Sequence, residues 1–162
     1  MSFDPETIRV YDGAAETYRA RFGEREASAN LLAFAALLPA GGAVLDLGCG
    51  PGTSALHLQA QDFVVEGMDA SSEMVAIARS AGISARQGAF EALDAVEAYD
   101  GVWANFSLLH APRADLPDHF AAIRRALRPE GIFHIGMKIG TGHARDRLGR
   151  LYTYVGVEEL SS

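Results

Sequence analysis

Apolar positions in residues 7–22 fall three or four apart, at Ile8, Tyr11, Ala15, Tyr18 and Phe22, and predict a helix with one apolar stripe. Gly13 weakens its middle and Gly23 is a stop. A second helix is expected over residues 26–38, closed by Pro39-Ala40-Gly41-Gly42. The pattern then changes to short apolar runs separated by helix-length segments. Strands are predicted at 44–47, 63–68, 85–87, 100–106 and 132–139, with helices over 53–60, from a cap at Ser71 or Ser72, and from Asp115. In the last of these, Leu116, Phe120, Ile123 and Leu127 make one stripe, and Arg124, Arg125 and Arg128 sit near the end favoured by the helix dipole. Pro129-Glu130-Gly131 ends it.

Strand and helix alternate about four times, so the expected fold is a single α/β domain. Helices cover both faces of a mostly parallel sheet in the order 3-2-1-4-5, and a helical cap precedes it over residues 1–38. The tail reads as a basic loop followed by the first turn of a helix from Val155 to Leu160, two serines before the end. That is the pattern of a fragment or of a truncated form.

Composition narrows the class. The 162 residues are 49% hydrophobic, enough for a sizeable core. One cysteine, Cys49, excludes an intramolecular disulfide scaffold. No apolar run approaches a membrane span, and the N-terminus has no basic flank before an apolar core, so a cytoplasmic protein without membrane partners is expected. The net charge of -7 is unevenly spread: residues 1–100 carry 6 basic and 15 acidic side chains, residues 101–162 carry 8 and 6. Lys138, Arg145, Arg147 and Arg150 are too few for a nucleic-acid backbone but suit a small anion.

The sharpest local signal is Val44-Leu-Asp-Leu-Gly-Cys-Gly-Pro-Gly-Thr53, a strand entering three alternate glycines, Gly48, Gly50 and Gly52, before a helix. Glycine permits a tight turn and close approach of a ligand to main chain. Asp46 at the strand end suits an amino group, and Asp69, ending the second strand, can accept both hydroxyls of a ribose. This pair admits a nicotinamide dinucleotide or an adenosyl cofactor. The spacing GxGxG, rather than GxGxxG, and Pro51, which lacks an N–H, favour the adenosyl cofactor.

Together these segments resemble the class I S-adenosylmethionine-dependent methyltransferases of the small-molecule type. VLDLGCGPGT (44–53) looks like their first motif, GMDAS (67–71) their second, YDGVWANFSLLH (99–110) the fourth-strand segment, and LRPEGIF (127–133) the turn before strand five. YDGAAETYRARF (11–22) is similar to the helical cap of these enzymes. The likeness spans about residues 8–139 and implies S-adenosylmethionine as cofactor. It implies that Asp46, Gly48, Cys49, Gly50 and Gly52 surround the methionine part and that Asp69 holds the ribose. Ala70 and Met74 flank the adenine on one side, and Ala89 and Phe90 on the other. Asn105 and Phe106 face the methyl group, and Tyr11 and Tyr18 close over the site. Two departures stand out: Ala89 occupies a place where the family usually has an acid, and the antiparallel hairpin that supplies strands six and seven is missing. The bare fifth-strand edge is then open to pairing with a second copy, a homo-oligomer.

Methyl transfer needs alignment of nucleophile and methyl group more than covalent help. His110, following the fourth strand, is the candidate base. Lys138, Arg145 and Arg150 are the candidate contacts to an anionic acceptor. His57, His119, His134 and His143 are scattered without ligand spacing, so no metal site is expected, and His119 is expected half exposed. Cys49 lies beside carboxylates, the wrong field for a nucleophilic thiolate. The alternatives are a nicotinamide-dependent oxidoreductase and a domain that binds the cofactor without turnover.

Overall fold

The structure, a computed structural model, describes residues 3–22 and 25–162. The stop expected at Gly23 and the side chain of Phe22 lie outside the described residues. Helices α1 (Pro5–Phe22) and α2 (Ala29–Ala36) precede β1 (Ala43–Leu47), α3 (Thr53–Gln59), β2 (Val64–Asp69), α4 (Ser72–Ser80), β3 (Ser84–Gln87) and β4 (Tyr99–Asn105). Then follow α5 (Leu116–Ala126), β5 (Leu127–Gly136), β6 (His143–Arg145), β7 (Leu151–Thr153) and α6 (Val157–Ser161). The sheet is parallel, as the alternation predicts, and its order is the expected β3-β2-β1-β4-β5.

Period-two alternation along β1 sorts its side chains to two cores. Val44 joins Leu31, Phe34, Leu58, Val75 and Trp103 on one face. Leu45 and Leu47 join Met68, Val102, Leu108, Leu116 and Ile123 on the other. Asp46 shares the face of Val44 and is therefore directed beneath α3, where the Ala55 amide bonds its carboxylate. Helix caps set the boundaries. Ser28 Oγ accepts the Leu31 amide at 3.2 Å, which starts α2 three residues later than the apolar pattern alone indicates. Ser71 Oγ accepts the Met74 amide at 3.2 Å and starts α4.

Four expectations are corrected. Arg128 is not helical: α5 ends at Ala126, Leu127 is already extended and pairs with Tyr99, and residues 128–131 bulge out before Ile132 pairs with Gly101. Glu130 turns this bulge at φ 62°, while Arg128 donates to Asp100 Oδ2 at 2.8 Å. The fifth strand stops at Gly136 rather than Ile139. His119 is buried, not half exposed, because α5 turns it toward Phe90, 5.3 Å between ring centroids. The segment after residue 140 is not an open loop but a separate hairpin, β6 antiparallel to β7, outside the main sheet. Asp146 organises its turn, accepting the amides of Leu148 at 2.9 Å and Arg150 at 3.0 Å. The hairpin is docked by Thr153, whose hydroxyl donates to Ala111 O at 2.7 Å. No hairpin pairs with β5, whose outer edge meets no further strand among the described residues. No helix among the described residues is long and apolar enough to cross a membrane.

Candidate functional site

The carboxyl ends of β1, β2 and β4 and the turn after β3 open onto one rim, and α1 lies across it. Between them is a cavity of about 400 Å³, within the range of small-molecule sites. Gly48 and Gly50 form its floor, Asp69, Ala70 and Met74 one wall, and Ala89 and Phe90 the next. Asn105, Phe106 and His110 close the third wall, and Tyr11 and Tyr18 of α1 roof it. Twelve of the residues expected around a cofactor or as a base are thus brought to one cavity.

Asp46, Cys49 and Gly52 are not on its wall. Asp46 lies beneath α3 by the alternation of β1, its Oδ2 buried without a hydrogen-bond partner. Cys49 is buried with its thiol donating to Gly50 O at 3.5 Å, and Gly52 packs toward Ala78 and Ile83. Burial, then the charges of Asp46 and Asp69, push the Cys49 thiol up, which keeps it protonated.

The amides of the glycine turn are committed to the protein itself. Those of Gly48 and Cys49 both donate to Met68 O, at 2.7 and 3.0 Å. The Gly50 amide donates to Asp69 Oδ2 at 2.8 Å, and that of Gly52 to Cys49 O at 3.0 Å. With Pro51 carrying no N–H, this turn offers no cradle to a pyrophosphate. The Asp69 carboxylate is fixed at both oxygens, Oδ1 receiving the Ser71 amide at 2.9 Å. Each oxygen retains acceptor capacity. Burial raises the Asp69 carboxyl, and burial with the neighbouring Asp69 pushes Asp46 up to about 7. Of the two acids only Asp69 reaches the cavity, where its carboxylate is placed to accept hydrogen bonds from a ligand.

The roof is tied down at several points. Ser71 donates its hydroxyl to Asp12, and Leu151 N donates to Thr7 Oγ1 at 2.8 Å. Arg145 forms a fork on Asp4, at 2.8 and 2.9 Å, and pairs with Glu6 at 3.3 Å. Arg145 is thereby engaged by α1 and does not line this cavity. Thr7, Ile8, Met68, Gly88 and Ser107 also line the cavity and were not singled out from the sequence. Thr7 and Ile8 carried a signal, lying one turn before Tyr11 on the same helix face. Gly88 carried none, because its place depends on how β3 turns.

His110 has a defined tautomer. Leu151 O lies 2.6 Å from Nδ1 and can only accept, so Nδ1 carries the proton and Nε2 accepts the Tyr11 hydroxyl at 2.8 Å. Burial pushes the imidazole down to about 4, and Arg150 acts in the same sense. An unfolded histidine binds its proton near 6.5. Between pH 6.5 and 4 the unfolded chain therefore holds a proton that the folded chain lacks. The stability from neutral His110 is complete above 6.5 and is lost as pH falls through this window. We expect the His110 ring signals to titrate by NMR with a midpoint near 4, and the slope of stability against pH to flatten in His110→Gln. A midpoint near 6.5 overturns this assignment.

Among the described residues no group of three His, Cys, Asp or Glu side chains is placed to hold a metal ion.

The family model described as a methyltransferase domain matches residues 44–131. No curated protein sequence matches significantly. Among solved structures, the Burkholderia thailandensis 1,6-didemethyltoxoflavin-N1-methyltransferase, with bound 1,6-didemethyltoxoflavin and S-adenosylhomocysteine, superposes at a TM-score of 0.72 and 24% identity. The match covers 96% of this chain and 72% of that one. An S-adenosylmethionine-dependent methyltransferase from Mesorhizobium loti superposes at 0.68 and 23% identity, over 83% and 77% of the two chains. A protein whose structure concerns conversion of a disulfide bond into a thioacetal group during echinomycin biosynthesis reaches 28% identity at 0.67, over 83% and 62%.

Proposed function

The chain belongs to the methyltransferase-domain family, and from that premise we propose that it transfers a methyl group from S-adenosylmethionine to a small acceptor. The observation that carries this reading is the pairing of an anchored, half-buried Asp69 with a glycine turn whose amides are already bonded within the protein. That arrangement suits a nucleoside with a cationic end and disfavours the two phosphates of a dinucleotide.

Asp69 is the residue for the ribose hydroxyls, because the Gly50 and Ser71 amides hold its plane and leave an acceptor site on each oxygen. Met74 and Phe90 offer apolar surface to an adenine ring, and Ala89 leaves its amino group to main chain. The open floor at Gly48 and Gly50 admits the methionine part. S-adenosylmethionine supplies, when bound, a methyl group on a positively charged sulfur. Transfer to the acceptor atom would return the carbon–sulfur electron pair to sulfur and leave S-adenosylhomocysteine in the same cavity. Any proton the acceptor loses passes to solvent, because His110 Nε2 is occupied by the Tyr11 hydroxyl at 2.8 Å. His110 instead orients Tyr11 against the cavity.

Isothermal titration tests the reading. S-adenosylhomocysteine is expected to bind with saturation and NAD not to bind. Binding of NAD alone, or of neither ligand, overturns it.

A further inference from the structure

A second cavity, of about 360 Å³, lies on the other side of α1's inner face. It shares Tyr11, Tyr18, Phe106 and His110 with the first, so the two spaces adjoin at these four side chains. The two sides differ in charge. The cofactor side carries Asp4 and Asp69 with one cation, Arg25, whereas the far side carries Arg21, Lys138 and Arg150 and no carboxylate.

The cations are held by rings rather than by carboxylates alone. Lys138 Nζ lies 4.0 Å above the Tyr152 ring centroid and has no ion pair among the described residues. Arg150 spans Tyr11 and Tyr152, 5.4 and 5.5 Å from their centroids. It pairs with Asp146 at 2.6 Å and donates from its other terminal nitrogen to Tyr11 Oη at 3.2 Å. Each terminal nitrogen carries a second N–H for a further acceptor. The mouth is apolar: Leu148 is 61% exposed, and Phe106 is 53% exposed. Phe106 sits in the left-handed region at φ 54°, an unfavourable conformation held by its amide bond to Gly136 O at 3.0 Å. Phe106 lines both cavities.

We propose that this second cavity is the acceptor site, and that the acceptor is a planar aromatic carboxylic acid. This inference rests on the methyltransferase reading of the adjoining cavity. The carboxylate lies against Lys138 and Arg150, for which a guanidinium edge and an ammonium are suited donors. The ring lies along Tyr18 and Phe106, with the atom to be methylated directed between the shared side chains into the first cavity. A cationic cofactor on the acidic side and an anionic acceptor on the basic side are thereby drawn toward each other across the same four residues.

The test uses 4-hydroxybenzoate as probe and 4-hydroxybenzamide as its neutral counterpart, titrated with and without S-adenosylhomocysteine. The acid is expected to bind at least tenfold more tightly than the amide and to weaken as salt is added. Lys138→Gln and Arg150→Gln are each expected to remove most of that difference. S-adenosylhomocysteine is expected to titrate with Lys138→Gln as with the unaltered protein. Equal binding of acid and amide overturns the proposal, as does inorganic phosphate competing as well as the aromatic acid. Failure of S-adenosylhomocysteine to bind while the acid still does overturns the cofactor reading and leaves the anion site standing.

Discussion

Gly48→Ala is expected to destabilise the fold by about 3 kcal/mol, from a left-handed backbone strain of about 1–2 kcal/mol and an overpacking cost of about 1–3 kcal/mol. Gly48 has φ +77°, and a Cβ there meets Ser107 Cβ at 2.2 Å and Oγ at 2.8 Å. Ser107 cannot yield freely, because it is buried and its hydroxyl donates to Leu47 O at 2.7 Å. For a chain of this size the melting temperature falls by about 6–12 °C. Adding Ser107→Gly removes the contact but not the backbone strain, so the double variant should recover only part of the loss. Gly13→Ala is the control: nothing lies within 4 Å of its added Cβ, the residue is helical, and a gain of about 0.5–1 kcal/mol is expected. An unchanged melting temperature for Gly48→Ala contradicts the close contact between the first turn and the end of β4.

Asp69→Ala is expected to raise the dissociation constant for S-adenosylhomocysteine tenfold or more, about 1.4 kcal/mol. Two effects combine. The acceptors for the ribose hydroxyls vanish, and the Gly50 and Ser71 amides lose their partner, which loosens the turn that the ligand touches. Asp69→Asn keeps one carbonyl oxygen and should fall between. The same change removes a neighbouring charge that raises Asp46, so the Asp46 carboxyl should titrate closer to its ordinary range. Melting curves on both variants separate lost binding from lost folding. A dissociation constant unchanged in folded Asp69→Ala removes Asp69 from the site.

Local pattern was enough for much of this. The glycine turn, the acid ending β2 and the Asn105-Phe106 pair ending β4 all lie at strand ends. In a parallel sheet with regular crossovers, strand ends of one polarity must share a rim. Tyr11 and Tyr18 were legible because helical periodicity puts them on one face of α1. Asp46 shows where such reasoning stops: its position in the motif was clear, yet alternation along β1 turns it under α3 rather than onto the cavity wall.

The cationic segment divides in the same way. Four basic residues after strand five are visible as composition, but nothing local distinguishes Arg145 from Arg150. Arg145 meets Asp4 and Glu6, which are about 140 positions earlier in the chain, whereas Arg150 is folded by Asp146 back over Tyr11. Sequence by itself determined the succession of strands and helices, the glycine turn and the face of α1, because these follow from periodicity and backbone chemistry within a few residues. Only the tertiary structure decided which charges face a cavity, how His110 is protonated, and that the tail folds as a hairpin. Those outcomes depend on contacts between segments distant in the chain, where burial and partner geometry outweigh local preference.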